Sequence, residues 1–502
     1  MTVLAHRTTA SGPDDGLTRD ALAVLQPGFE GTTAPAWLLR RIGEGLTSVG
    51  LFGRNIASTG QLAALTAQLR AERDDVLVAI DEEGGDVTRL EVRGGSSFPG
   101  NLALGAVDDT ALTRGVAREL GRRLAECGVN LNWAPSADVN SNPDNPVIGV
   151  RSFGADTALA ARHTAAYVEG LQAAGVAACT KHFPGHGDTN VDSHHALPRI
   201  DVDLDTLQVR ELIPFKAAIE AGTRAVMSAH ILVPALDPTR PATLSPQILT
   251  GLLRKELGYE GLIVTDGMEM NAIAGTYGIE RGSVLAIAAG ADAICVGGGL
   301  ADEATVLRLR DALVAAVREG TLPEERLADA AARVRELAAW TRQARAAAAV
   351  PGAPEGGAPG IGLAAARRAL AVTGAAAPVS APYVATLAPV ANIAVGDETP
   401  WGLAAELAAL VPDTASGVYP EGASARDVLA AAGSRTVVAV VRDAHRHPWM
   451  AEALDALVAA RPDTVVVEMG LPRAEPRGAL YIATHGASRV CGRAAAEVIA
   501  GV

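Results

Sequence analysis

No stretch of this 502-residue chain stays apolar for the ~20 residues that a membrane-spanning helix needs. The N-terminus, Met1 to Thr8, lacks the apolar core of roughly 7–15 residues that marks a secretory signal. Basic residues are in the minority, 43 Lys and Arg against 57 Asp and Glu, for a net charge of −14. No run of clustered Lys and Arg is present, and neutralising nucleic-acid phosphates requires one. Cysteine is scarce. Cys127, Cys179, Cys295 and Cys491 are far apart and form no C-x-x-C pair; three of them sit in or beside apolar segments, where a buried thiol is the expected state. Together these absences predict a reduced, cytoplasmic protein that engages neither membrane nor nucleic acid.

What is present is a globular chain, 49% hydrophobic and long enough for two substantial cores. Short apolar runs alternate with amphipathic stretches up to about residue 340. The candidate strands are Ser48–Phe52, Val76–Ile80, Val129–Trp133, Val176–Thr180, Ala225–Ser228, Leu262–Thr265 and Ala291–Val296, with a weaker one near Ala23–Leu25. Helical patterns separate them, among them Gln61–Arg73, Ala111–Cys127, Ala158–Ala174 and Leu204–Ala221. Such alternation indicates a parallel sheet, and about eight units in roughly 300 residues predict a (β/α)₈ barrel over residues 1–341. A doubly wound open sheet is the alternative, but it tends to gather its ligand contacts at one switch point. Residues 342–362, rich in Ala, Pro and Gly, read as a linker. The remainder, 363–502, reads as a smaller α/β domain with apolar runs Val437–Val441, Thr464–Glu468 and Leu480–Ala483. Its histidines, His445, His447 and His485, are expected to be surface or structural.

Polar residues cluster directly behind the predicted strands, the ends at which barrel enzymes carry their chemistry. The richest segment is Lys181 to His195, with four histidines, two aspartates, two glycines and a proline. A polar, Gly-rich loop of this length inside a compact domain is expected to be functional. Within it, Asp192 and His194 flank Ser193, so a local turn would let the carboxylate hold the imidazole, as a proton shuttle needs. Asp266 ends the apolar strand Leu262–Thr265, a rigid and partly desolvated position that suits either a nucleophile or a helix cap. Asp81-Glu82-Glu83 could bind sugar hydroxyls or form a solvated turn; Arg89 follows nearby. Arg151 comes after a turn-rich run that should bring it over the barrel mouth, while Lys181 and His182 lie at a strand tip. His182, His186, Asp188, Asp192 and His194 are also metal-ligand types, but the His-x-His after the first strand that marks metal-dependent amidohydrolase barrels is missing. Gly297-Gly298-Gly299 could cradle a phosphate, a weak signal without a further motif.

These motifs resemble glycoside hydrolase family 3, in its β-N-acetylglucosaminidase branch. The resemblance rests on Gly84-Gly85 after Asp81-Glu82-Glu83, Asn132-Trp133-Ala134-Pro135 to Asp138-Val139-Asn140, Arg151-Ser152-Phe153-Gly154, Lys181 to Asp188, Asp192-Ser193-His194 and Thr265-Asp266-Gly267-Met268. It runs in order through about residues 20–340, and more loosely into the tail at Ala487-Ser488-Arg489-Val490. It implies a retaining exo-β-N-acetylglucosaminidase acting on muropeptides or chitooligosaccharides without metal or cofactor. Asp266 would be the nucleophile and His194, paired with Asp192, the acid/base. Asp81, Arg89, Arg151, Lys181 and His182 would hold the terminal GlcNAc. A phosphorylase that passes the sugar to inorganic phosphate is the near alternative, and a metal-dependent amidohydrolase the distant one. Two departures stand out: Asp86 replaces the Arg usual after the double glycine, and Gly267 replaces a second Asp. With the acid/base already in the barrel, the tail is not expected to supply catalytic groups.

Overall fold

Eight short parallel strands, each buried along its whole length, form the first half of the molecule: β1 (Leu25–Pro27), β2 (Ser48–Leu51), β3 (Leu77–Ile80), β4 (Leu131–Asn132), β5 (Ala177–Phe183), β6 (Ala225–Ser228), β7 (Leu262–Thr265) and β8 (Ile294–Val296). The computed structural model describes residues 13–193, 196–348, 360–390, 395–396 and 398–502. Strands β2 to β7 pair in chain order, and β1 pairs with β8. A bridge from Val264 to Ala293 joins β7 to β8, and the Gln26 amide reaches Ser48 at 2.5 Å between β1 and β2. The barrel is therefore closed, and the open-sheet alternative falls. Strands covered on both faces must be apolar throughout, which explains why they read as continuous apolar runs without alternation.

Inside the barrel, Leu77, Leu131, Met227, Leu262 and Val264 pack with Trp133 in one cluster. Val334 and Leu337 of the helix Glu324–Ala348 belong to the same cluster, so that helix stoppers one end. The outward residues Val78, Ile80, Val226 and Ile263 pack under the surrounding helices. Helix starts are set by local chemistry: Asp109, Asp156 and Asp302 each accept from a backbone N–H in the first turn that follows.

The second domain is a six-stranded sheet built from β9 (Ala371–Gly374), β10 (Tyr383–Leu387), β11 (Ala415–Tyr419), β12 (Val437–Val441), β13 (Val465–Glu468) and β14 (Leu480–Ala483), in the order β11-β10-β12-β13-β14-β9. Only the edge strand β9 is antiparallel. Separate apolar clusters cover its two faces. The boundary differs from expectation. The helix Glu324–Ala348 continues past 341, because Arg342-Gln343-Ala344-Arg345 are good helix formers and the first proline comes only at 351. The next helix, Ile361–Ala369, starts inside the expected linker, and Gly362 lies so close to the Ser97 carbonyl that a Cβ would overlap it. Among the described residues no helix is long and apolar enough to cross a membrane.

The two domains meet at a buried ion pair. Arg442, just past β12, places its guanidinium 2.6 Å from the Asp86 carboxylate, whose other oxygen accepts from Ala487 N at 2.7 Å. Asp86 is thus the barrel's anchor for the second domain, and the departure at this position has a structural use. Val490 N bonds to Ser96 O at 3.4 Å and His445 Nε2 to Pro143 O at 3.0 Å. Arg442→Leu should leave a buried carboxylate unpaired and cost ~3 kcal/mol, whereas the double variant Asp86→Leu/Arg442→Leu should recover most of that loss. Urea unfolding midpoints of the three proteins test this, and equal midpoints for the single variant and the parent would refute it.

Candidate active site

The ionisable residues behind β3, β4 and β5 converge on one cluster at the barrel mouth. Lys181, carried within β5, places its ammonium 2.5 Å from Asp81 Oδ1 and 2.6 Å from Glu83 Oε1. Arg151 grips Glu83 with two nitrogens, Nη2 to Oε1 at 2.6 Å and Nε to Oε2 at 3.0 Å. Its Nη1 donates to Val147 O at 3.1 Å. Arg89 approaches the second oxygen of Asp81 at 3.4 Å. Burial alone would push the Glu83 carboxyl up, but the Arg151 guanidinium and the Lys181 ammonium outweigh it and hold Glu83 well below the usual carboxylate range. Burial likewise works against charge on Lys181, yet Asp81 and Glu83 keep its pKa raised. The cluster is internally paired.

His182 is fixed from behind. Its Nδ1 lies 2.7 Å from Asp138 Oδ2, and its Nε2 lies 3.4 Å from Arg151 Nη2. A carboxylate only accepts, so Asp138 places a proton on Nδ1 and turns Nε2 toward Arg151. Asp138 also accepts from Ser136 Oγ at 3.0 Å and from His186 N at 2.7 Å. The loop bearing these groups is pressed onto the backbone behind β4. A Cβ at Gly187 would overlap the Val139 carbonyl, and the Asn145 side chain donates to the carbonyls of His186 and Gly187 at 2.9 and 3.0 Å.

Across the mouth, Asp266 extends from β7, with its N–H on Ser228 O at 3.2 Å and its Oδ1 accepting from Gly267 N at 2.8 Å. His230 Nε2 lies 3.0 Å from Gly267 O and steadies the same turn. Asp81, Arg89, Arg151, Lys181, His182 and Asp266 all line one cavity of about 670 Å³. Trp133, Met227 and Cys295 form apolar parts of its lining; Val395, Gly396 and Glu398 reach it from the second domain. The tail therefore shapes the site even though no catalytic group was expected from it. Asp192 is half-buried and lines an adjoining cavity instead, while His194 and His195 lie outside the described residues. Asp188 pairs with Arg210 at 2.5 Å.

Three residues had a use that their sequence context did not disclose. Glu83, seen as one of three carboxylates in a row, is the internal counter-ion of Lys181 and Arg151. Asp138 is the partner of His182; the only signal was an Asp shortly after a predicted strand. Glu269 accepts from the N–H groups of Gly297 at 2.9 Å, Gly299 at 3.3 Å and also Gly298. The glycine run thus holds a carboxylate from the chain itself, where a phosphate cradle had been considered.

The closed parallel barrel, with its ionisable groups gathered behind the carboxyl ends of the strands, defines a (β/α)₈ enzyme. The chain belongs to glycosyl hydrolase family 3, whose N-terminal domain matches residues 39–337. It is 38% identical over 312 residues to beta-hexosaminidase A of Pseudoalteromonas piscicida, covering 57% of this chain and 52% of that protein. It is 36% identical over 254 residues to the beta-hexosaminidase of Neisseria meningitidis serogroup C (strain 053442), covering 49% of this chain and 70% of that one. The chain thus spans about half the length of the Pseudoalteromonas relative. Its structure is similar to that of a glycoside hydrolase family 3 beta-N-acetylglucosaminidase from Paenibacillus sp. str. FPU-7, with a TM-score of 0.85 and 35% identity over 97% of this chain and 96% of that one.

His186 yields a pH prediction. Burial, aided by neighbouring His182, lowers its pKa from 6.5 to about 4. The unfolded chain takes up a proton near pH 6.5 that the folded state refuses until about pH 4, so stability falls as pH drops through that window, by up to ~3 kcal/mol. Imidazole ¹⁵N shifts should show His186 neutral at pH 5.5, and titration near 6.5 would contradict it.

Proposed function

We propose that this protein is a retaining exo-β-N-acetylglucosaminidase that removes terminal GlcNAc from muropeptides or chitooligosaccharides. The reading rests chiefly on Asp266, fixed at the tip of β7 and facing the same cavity as Lys181, Asp81, Arg89, Arg151 and His182. It is supported by relatives whose names are beta-hexosaminidase and beta-N-acetylglucosaminidase. Asp266 attacks the anomeric carbon, the glycosidic C–O bond breaks, and a covalent glycosyl-enzyme forms. His194, oriented by Asp192, gives its proton to the departing oxygen and then takes one from the water that releases the sugar. Retaining enzymes usually carry a second carboxyl ~5–5.5 Å from the nucleophile; an imidazole in that role avoids a second negative charge beside Asp266. The hydroxyls of the sugar are met by Asp81, Arg89, Arg151, Lys181 and His182, whose charges are already paired. Recognition then requires little rearrangement when the substrate arrives.

The test is hydrolysis of 4-nitrophenyl β-N-acetylglucosaminide followed by proton NMR, with and without phosphate. GlcNAc released first as the β-anomer supports the reading. GlcNAc 1-phosphate would make the protein a phosphorylase, and cleavage of a β-glucoside in its place would overturn the substrate. Asp266→Ala should abolish turnover with the fold intact by circular dichroism. His194→Ala should slow N,N′-diacetylchitobiose by ~10²–10⁴-fold and the nitrophenyl glycoside far less, because a good leaving group needs little protonation. Equal losses on the two substrates would remove His194 from the acid role.

A further inference from the structure

Of the three carboxylates behind β3, Asp81 and Glu83 belong to the ionic cluster, while Glu82 is spent on the backbone. It is buried, 1% exposed, and does not line the cavity. One oxygen, Oε2, accepts from Leu90 N at 2.7 Å, Arg89 N at 2.8 Å and Thr88 Oγ1 at 3.0 Å. The main chain of Glu82 is itself fixed to β4. The Asn132 side chain accepts from Glu82 N at 3.0 Å and donates to Glu82 O at 2.7 Å. Glu82 therefore closes the turn 83–90 from a fixed point on the barrel. That turn carries Arg89, which lines the first cavity, approaches Asp81 at 3.4 Å and reaches Val395 O at 3.4 Å.

Three donors on a single oxygen suit a full negative charge. The carbonyl oxygen of a neutral acid has two lone pairs, and hydrogen bonds to an ionised acceptor are about twice as strong. Removing the charge slackens all three bonds at once, and two of them hold the main chain of Arg89 and its neighbour. The charge is also costly. Burial pushes the Glu82 carboxyl up to about 7 against the pull of these donors, and nearby Glu91 pushes the same way. Tyr167, from the helix Thr157–Ala173, has its phenol raised well above 10 by burial and stays neutral. Lys181 and Arg151 are paired with Asp81 and Glu83. His186, which lines the same cavity as Arg89, is lowered by burial to about 4 and titrates outside this range.

We propose that Glu82 is a positioning residue for sugar binding: ionised, it pins the turn that presents Arg89 to the substrate, and protonated, it lets that turn go slack. The inference rests on the glycosidase reading above, in which Arg89 meets the terminal sugar. It goes further by giving a buried carboxylate outside the cavity control over affinity near neutral pH. Asp266 lies across the mouth, so KM responds to Glu82 and kcat does not. The same charge lowers stability. The folded chain keeps a proton on Glu82 up to about pH 7, whereas the unfolded chain releases it near 4.5. The stability this group contributes is therefore lost as pH rises through that window.

The test follows hydrolysis of 4-nitrophenyl β-N-acetylglucosaminide by the full-length protein across neutral pH. KM of the parent should fall by about 10-fold as pH rises through about 7, the size of one charge-assisted hydrogen bond. Glu82→Gln keeps the shape without the charge. Its KM should stay at the parent's low-pH value throughout, with kcat little changed. Thr88→Val removes one donor from the carboxylate and should move the inflection to higher pH. In an Arg89→Ala background, Glu82→Gln should raise KM no further. The melting temperature of Glu82→Gln relative to the parent should climb as pH rises through the same window. A parent KM that is flat across pH 7, or an inflection unmoved by both variants, would overturn the inference and leave the glycosidase reading in place. So would a Glu82→Gln loss carried by kcat at unchanged KM, additive losses in the Arg89→Ala background, or a melting-temperature difference that does not vary with pH. No cleavage by the parent at any pH would overturn both.

Discussion

Two acids and two bases buried against one another, Asp81 and Glu83 with Lys181 and Arg151, are the constraint on which the rest of the site depends. Taking a charge out of water costs several kcal/mol, which is recovered only by a partner in good geometry. Glu83 is the centre: two nitrogens of Arg151 and the Lys181 ammonium converge on it, and none of the three side chains is more than 6% exposed. Because the four residues come from the loops behind β3 and β4 and from β5 itself, their pairing ties three successive units of the barrel into one wall. Loops that would otherwise be the most mobile part of a barrel are held by the interaction most costly to break.

The same economy recurs around the cavity. Asp138 holds His182 correctly turned, and Glu269 occupies the N–H groups of three consecutive glycines. Charges that look from the sequence like free ligands for a substrate or a metal are satisfied by the chain itself. Under the proposed mechanism this matters, because a carboxylate nucleophile is most effective where neighbouring groups are already oriented and water has no dipoles left to reorganise.

The second domain is more than an appendage. The Asp86–Arg442 pair and the Ala487 N–H lock it to the turn just behind Asp81 and Glu83, so its position is coupled to the ionic cluster through three residues of chain. That docking brings Val395, Gly396 and Glu398 to the first cavity and creates the second. The segment Ala487-Ser488-Arg489-Val490, where the resemblance of the tail to two-domain relatives is concentrated, is part of this docking surface.

Much of this was legible in the chain. Six apolar runs between residues 48 and 265 became strands β2 to β7 nearly as read, since a strand covered on both faces must be apolar at every position and so announces itself. The strands Ala371–Gly374, Tyr383–Leu387 and Ala415–Tyr419 were not legible. The outer two are exposed or half-exposed at the sheet's edges, and edge strands are under no such demand. Asp81, Arg89, Arg151, Lys181, His182 and Asp266 line the first cavity because strand ends point one way in a parallel barrel, while Asp192 lines the second. What sequence alone could not decide was which charged group meets which. Glu83 with Arg151, Asp138 with His182 and Asp86 with Arg442 are separated by 44 to 356 positions in the chain only to be joined within 2.7 Å. Local spacing therefore determined the elements, the barrel and the candidate chemistry at its mouth. The pairing of buried charges, and the cavity between domains that follows from it, belonged to the tertiary structure, because Coulombic partners are chosen by distance in space and leave no period along the chain.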